Sequence, residues 1–146
     1  VMSKTIKPFE SKLDQSMVNE INIEADTVKD VLELLDRWEK NVGYLKQSVN
    51  QNNLAKELKT NSTYLSKIIN TYKGQSFSNY LKDLRITYAI NYLKENPRAV
   101  ETKSTVQLAE EFGFNSLDVF VRALKAKIGI TPAVFFRQIK KQQFIN

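Results

Sequence analysis

The sequence contains neither cysteine nor histidine. Without cysteine there are no disulfides, no thiolate zinc sites and no thiol catalysis. Without histidine the commonest general base near neutral pH and the commonest neutral metal ligand are gone. No carboxylate pair has a spacing that suggests acid–base work. The chain is therefore not expected to be an enzyme, and no metal, other cofactor or small-molecule site is expected. No run of about 18 apolar residues exists, so no membrane-spanning helix is expected. No signal-peptide pattern occurs at the N-terminus. The Val1-Met2 start reads as a boundary within something longer. A cytoplasmic location is expected, though the longer protein could be membrane-linked.

What is present fits one ordinary domain or two very small ones: 146 residues, 42% apolar and 26% charged, as in soluble globular proteins. The net charge of +6 is unevenly spread. Residues 1–60 hold 9 Lys/Arg and 10 Asp/Glu, whereas residues 61–146 hold 13 and 6. A positive field confined to the C-terminal part points to a polyanion or an anionic surface as partner.

Apolar spacing reads as helix almost throughout. Residues 1–24 lack steady periodicity and read as a linker or a partly helical tail. Asp26-Thr27 opens a helix carrying Val28, Val31, Leu32, Leu35, Trp38 and Val42, which Gly43 ends. A short helix follows at 51–58, capped by Asn50 and buried through Leu54, Ala55 and Leu58. After a break at Lys59-Thr60, Asn61 or Ser62 caps the next helix, which Gly74 stops. Its apolar face is Leu65, Ile68, Ile69 and Tyr72. The opposite face, with Ser62, Thr63, Ser66, Lys67, Asn70 and Lys73, is small, polar and basic and has no acid. A longer helix spans 77–95, with a stripe of Phe77, Tyr80, Leu81, Leu84, Tyr88 and Tyr92 flanked by Ala89 and Leu93; Asn96-Pro97 ends it. Residues 97–103 read as a loop. Ser104 caps a helix to Glu111 whose apolar residues are Val106, Leu108, Ala109 and Phe112. A turn at 113–115 leads to a helix from Ser116 to Ile128, ended by Gly129. Thr131-Pro132 starts a last helix with Phe135, Phe136 and Ile139, running to about 142, and 143–146 read as a tail. No segment alternates like a strand, so the expected fold is all-α.

Residues 53–74 and 106–129 resemble each other at a spacing of 54 to 55 residues. Ala55 matches Ala109, Leu58 matches Phe112, and Asn61-Ser62 match Asn115-Ser116. Leu65 matches Phe120, Lys67 matches Arg122, and Gly74 matches Gly129. The second copy has one extra residue near its turn. Each copy is a short helix, a polar turn and a second helix, the helix-turn-helix unit. The small alanine lets the two helices approach closely. The helix between the copies, at about 1.5 Å per residue, is roughly 28 Å long. Adjacent major-groove faces of B-DNA lie about 34 Å apart.

With these residues in view, the sequence resembles the C-terminal DNA-binding domain of the AraC-type bacterial transcription regulators. The resemblance covers about 50–137 and rests on LAKEL (54–58), STYLSKII (62–69), GQSFSNYLKDLRITYAINYL (74–93), LAEEFGFNS (108–116), FVRALKAKIGITP (120–132) and FFR (135–137). It implies two helix-turn-helix subdomains, at about 50–74 and 104–129, joined by the linker helix at 77–95 within a domain spanning 25–142. The helix at 27–42 is then an added N-terminal element and a candidate for dimerisation. Three positions depart from the family pattern: Thr105 replaces a large aliphatic residue, Phe136 replaces an arginine, and Leu117-Asp118-Val119 stand where polar amides are commoner.

The resemblance also implies roles. Thr63, Ser66 and Lys67 occupy base-contacting positions in the first unit, where Lys67 can donate to guanine O6/N7 and the hydroxyls can serve several bases. The corresponding face of the second unit is Leu117, Asp118, Val121 and Arg122. Arg122 suits guanine and Asp118 can accept from a cytosine amino group. Leu117 and Val121 either extend the core or, if exposed, touch thymine methyls. Backbone contacts fall to the amides after Asn50 and Asn115-Ser116, to Tyr64 and to Lys73, Lys82, Lys125 and Lys127. The expected partner is double-stranded DNA, together with RNA polymerase and an upstream sensor or dimerisation domain of the same natural chain. The competing reading is a basic helical module that binds an acidic protein without DNA sequence preference.

Overall fold

Polar caps set where the helices begin. Asn50, Asn61, Ser76, Ser104 and Ser116 each accept, through a side-chain oxygen, the backbone amide three residues ahead. Ser104 and Gln107 close a full capping box. The computed structural model describes residues 15–145, with side chains described over 24–142. Its helices are α1 (Gln15–Lys40), a 3-10 turn (Gly43–Leu45), α2 (Gln51–Glu57), α3 (Ser62–Lys73), α4 (Phe77–Glu95), α5 (Ala99–Thr102), α6 (Thr105–Glu111), α7 (Leu117–Ile128) and α8 (Pro132–Ile145). No strand occurs among the described residues.

Several boundaries differ from the reading above. Residues 15–24, expected as part of a linker or partly helical tail, belong to α1, since no glycine or proline between Pro8 and Gly43 interrupts it. The expected tail over 1–14 lies outside the described residues, as does Asn146. The helix α1 ends at Lys40, and the left-handed residue after it is Val42 (φ 50°), not Gly43. Gly43 is needed for space, because a Cβ there would overlap the Trp38 indole. The expected loop at 97–103 contains the short α5, and α8 continues to Ile145.

The linker helix α4 buries more than one stripe because it belongs to two cores. Its N-terminal half gives Phe77, Tyr80 and Leu81 to the first core, with Val31, Leu35 and Trp38 of α1, Leu54 and Leu58, and Leu65, Ile68 and Ile69 of α3. Its C-terminal half gives Ile86, Ala89, Ile90 and Leu93 to the second core, with Leu108, Phe112, Phe114, Phe120, Leu124, Phe135 and Ile139. Arg85, Ile86 and Ile90 lie outside the single stripe read from the sequence, yet all three are buried. Each fully buried large apolar side chain stabilises the fold by about 1.5–3 kcal/mol relative to exposure. An aromatic series links the cores: Tyr88 lies edge-on to Tyr44 and to Phe112, at centroid distances of 6.1 and 6.2 Å.

Two residues placed in the core by spacing lie outside it. Tyr72 is 56% exposed, because in the last turn of α3 it has run past the core and borders a groove beside Val28 and Leu32 of α1. Val106, in the first turn of α6, is 47% exposed.

Candidate nucleic-acid interface

The repeat seen in the sequence is a repeat in three dimensions. In each unit the residue after the first helix's cap takes a left-handed conformation, Lys59 (φ 61°) in one and Gly113 (φ 87°) in the other. In each the next amide reaches back to the small alanine's carbonyl: Thr60 to Ala55 at 2.8 Å, Phe114 to Ala109 at 2.9 Å. The extra residue is Asn115, inserted before the cap of α7, so the caps Asn61 and Ser116 correspond, not Asn61 and Asn115, and α3 and α7 are offset by 55 residues. Thr63 then matches Asp118, Ser66 matches Val121, and Lys67 matches Arg122. Leu65 and Ile69 anchor α3 where Phe120 and Leu124 anchor α7, so both helices present the same face outward.

On α3, Thr63 and Lys67 are exposed and Ser66 is half-buried. Asn70, one turn on, donates to the Ser66 carbonyl at 2.9 Å. Gln51 donates to both the carbonyl and the hydroxyl of Ser62, at 2.8 and 2.7 Å, pinning α2 to the start of α3. Tyr64 is half-buried against the first core, and Lys73 is held by Glu39 of α1 at 3.2 Å. Glu39 also accepts the Tyr80 hydroxyl at 2.7 Å. Burial, and then that bond, raise the Tyr80 pKa far above the ordinary phenol value, so the hydroxyl stays a donor. Asn50 is exposed, and its side chain is engaged as a cap.

On α7, Asp118 and Arg122 are exposed and pair with each other at 3.2 Å, and Leu117 is 38% exposed. Of the two alternatives open for Leu117 and Val121, the fold therefore exposes the first; it leaves the second half-buried. Asn115, Ser116 and Lys125 are exposed. Lys127 pairs with Asp83 of α4 at 2.9 Å. An open groove between α4 and α7 is lined by Gln75, Asn79, Lys82, Val119, Arg122 and Lys127. It brings Lys82, Arg122 and Lys127 together with Gln75 and Asn79, two amides the sequence reading missed.

The segment before the first unit sets how the two units sit. Arg85, 5% exposed, donates to the carbonyls of Tyr44 (2.6 Å) and Lys46 (2.7 Å). Burial lowers its pKa to about 10, which leaves it charged at neutral pH. Gln47 donates to the Phe114 carbonyl, in the turn of the second unit, at 2.8 Å. One four-residue stretch thus holds both the linker helix and the second turn. Arg85→Met is expected to destabilise the chain by about 1–3 kcal/mol, because two carbonyls lose their donors. Denaturant unfolding measures it, and an unchanged midpoint would show that water replaces the guanidinium at no cost.

A family profile described as a helix-turn-helix domain matches residues 54–138. The chain belongs to the AraC-type helix-turn-helix family. Over 85 residues it is 33% identical to the "Uncharacterized HTH-type transcriptional regulator YtdP" of Bacillus subtilis (strain 168), covering 58% of this chain and 10% of that protein. Over 93 residues it is 29% identical to the "Msm operon regulatory protein" of Streptococcus mutans, covering 64% of this chain and 32% of that protein. The chain thus spans a tenth to a third of the curated relatives it matches. In fold it is similar to the DNA-binding domain of AdpA, solved in complex with a target DNA: TM-score 0.62, 16% identity, covering 77% of this chain and 95% of that one. Members of the AraC-type family are DNA-binding domains of transcription regulators, not enzymes. No described helix is long and apolar enough to cross a membrane.

Proposed function

We propose that this domain binds double-stranded DNA sequence-specifically, with α3 and α7 in successive major grooves. The observation that carries this reading is the matched pair Lys67 and Arg122, one exposed basic side chain at the same position of each repeated helix, in two units whose cores close on different halves of α4. Thr63, Ser66 and Lys67 read the first block; Leu117, Asp118, Val121 and Arg122 face the second. Arg122 reaches guanine only by leaving Asp118. That exposed pair contributes little to stability, so the cost of breaking it is small. Lys82, Lys125 and Lys127 meet the phosphates between and beside the blocks, joined by Gln75 and Asn79 from the groove. Lys73 and Tyr64 are turned toward the protein and drop to secondary roles.

AdpA's DNA-bound domain supports the reading through its shared fold. DNA binding would place the rest of a longer regulator, including any sensory or dimerisation segment, beside a promoter and its polymerase in the cytoplasm. No cofactor is needed.

Selection of bound duplexes from a randomised pool tests this. The expected product is an asymmetric motif of two blocks about one helical turn apart. With roughly five phosphates neutralised, the log–log salt slope should be near −4 to −5. Recovery of no motif, with weak binding that ignores sequence, would favour the acidic-partner module instead.

A further inference from the structure

The helix α1 does two things along its length. Val31, Leu35 and Trp38 are buried in the first core. N-terminal to Val31, none of residues 24–30 is buried. The residues before Val31 extend α1 by 16 positions, about 24 Å of helix at 1.5 Å per residue. In proteins most helical stability comes from packing an amphipathic face rather than from propensity.

Such a face is written into the sequence. Val18, Ile21, Ala25, Val28 and Leu32 fall at the a and d positions of consecutive heptads, the seam of a two-stranded coiled coil. At 100° per residue this seam lies roughly a quarter-turn around the helix from the core-facing side. Where side chains are described, Ala25 is exposed and Val28 and Leu32 are only half-buried. They line a groove with Tyr72, the one large aromatic that α3 leaves exposed among the described residues.

Charge identifies the occupant. With Ala25 at a, Glu24 stands at g and Lys29 at the e position that follows. In a parallel, in-register pair, g of one helix faces the next e of the other, so Glu24 meets Lys29 twice across the two-fold axis. An antiparallel pair would set g against g and e against e, so Glu24 and Lys29 would not meet and this attraction would be lost.

We propose that α1 pairs with α1 of a second copy as a parallel coiled coil over residues 18–32. The dimer joins two two-unit domains about one axis while the buried side of each α1 stays in its own core. The assignment rests on α1 alone and does not depend on DNA binding.

The chain has no cysteine, which makes disulfide trapping clean. In the full chain, Ala25→Cys at the seam should oxidise rapidly to a disulfide-linked dimer. Asp30→Cys, at the outward f position, should form no disulfide across the dimer. Adding Lys29→Glu to Ala25→Cys should weaken dimerisation roughly tenfold by sedimentation, since two attractions become two repulsions. Adding Glu24→Lys as well should restore it. Ala25→Cys linking no faster than Asp30→Cys overturns the proposal, as does a monomer at all concentrations in sedimentation; either result would mean that α1 is covered by its own residues 1–14 or by nothing. Failure of the charge exchange to restore pairing overturns the parallel register.

Discussion

Gly113→Ala should lower the unfolding free energy by about 2–5 kcal/mol. The residue sits at φ 87°, which costs a non-glycine residue about 1–2 kcal/mol. The added Cβ would also lie 2.7 Å from Arg85 Nε and 2.8 Å from the Leu45 carbonyl. Overpacking of that kind costs about 1–3 kcal/mol more, because a backbone carbonyl and a doubly bonded guanidinium cannot move aside cheaply. Gly74→Ala is the control: φ is 68°, yet nothing lies within 4 Å of its Cβ, so only the backbone cost of about 1 kcal/mol remains. Urea unfolding of both variants measures the difference. Equal losses would show that Gly113 is required for its dihedral alone, and that the contact between the second turn and the Leu45–Arg85 brace can yield.

Lys67→Ala and Arg122→Ala should each weaken binding to the selected duplex by about 1–3 kcal/mol, roughly 5- to 150-fold. They belong to separate units with separate cores, so the losses should add, to about 2–6 kcal/mol in the double variant. Each single variant should relax preference in one block only, the first for Lys67 and the second for Arg122. Asp118→Asn should strengthen binding, because it removes an exposed negative charge from the DNA face and frees Arg122 from its partner. Fluorescence anisotropy on matched and scrambled duplexes reads all three. Equal losses on both duplexes would assign Lys67 and Arg122 to phosphates and move sequence reading elsewhere on α3 and α7.

The sequence alone determined the all-helical class, the two repeated units and the outward basic face. These follow from local chemistry: apolar spacing, Asn and Ser caps, and glycines at Gly74, Gly113 and Gly129 act within a few residues of themselves. Even the position equivalence of Lys67 and Arg122 could be read, since a repeated unit repeats its pattern. The start of α1 could not. Charged and amide residues dilute its apolar stripe, so the periodicity is weak there.

The tertiary structure decided what depends on two distant segments meeting. Arg85 reads as an exposed linker-helix charge until the carbonyls of Tyr44 and Lys46 are brought to it across about forty residues of chain. Lys73 lies on the basic face by spacing, but Glu39 of α1 draws it toward the protein. Tyr72 shares the apolar face of α3 yet runs past the core, because a helical wheel records direction and not where the neighbouring helix stops. Ile86 and Ile90 are buried because a second core closes on the far side of α4, a demand made by the packing of two units and written in neither one alone.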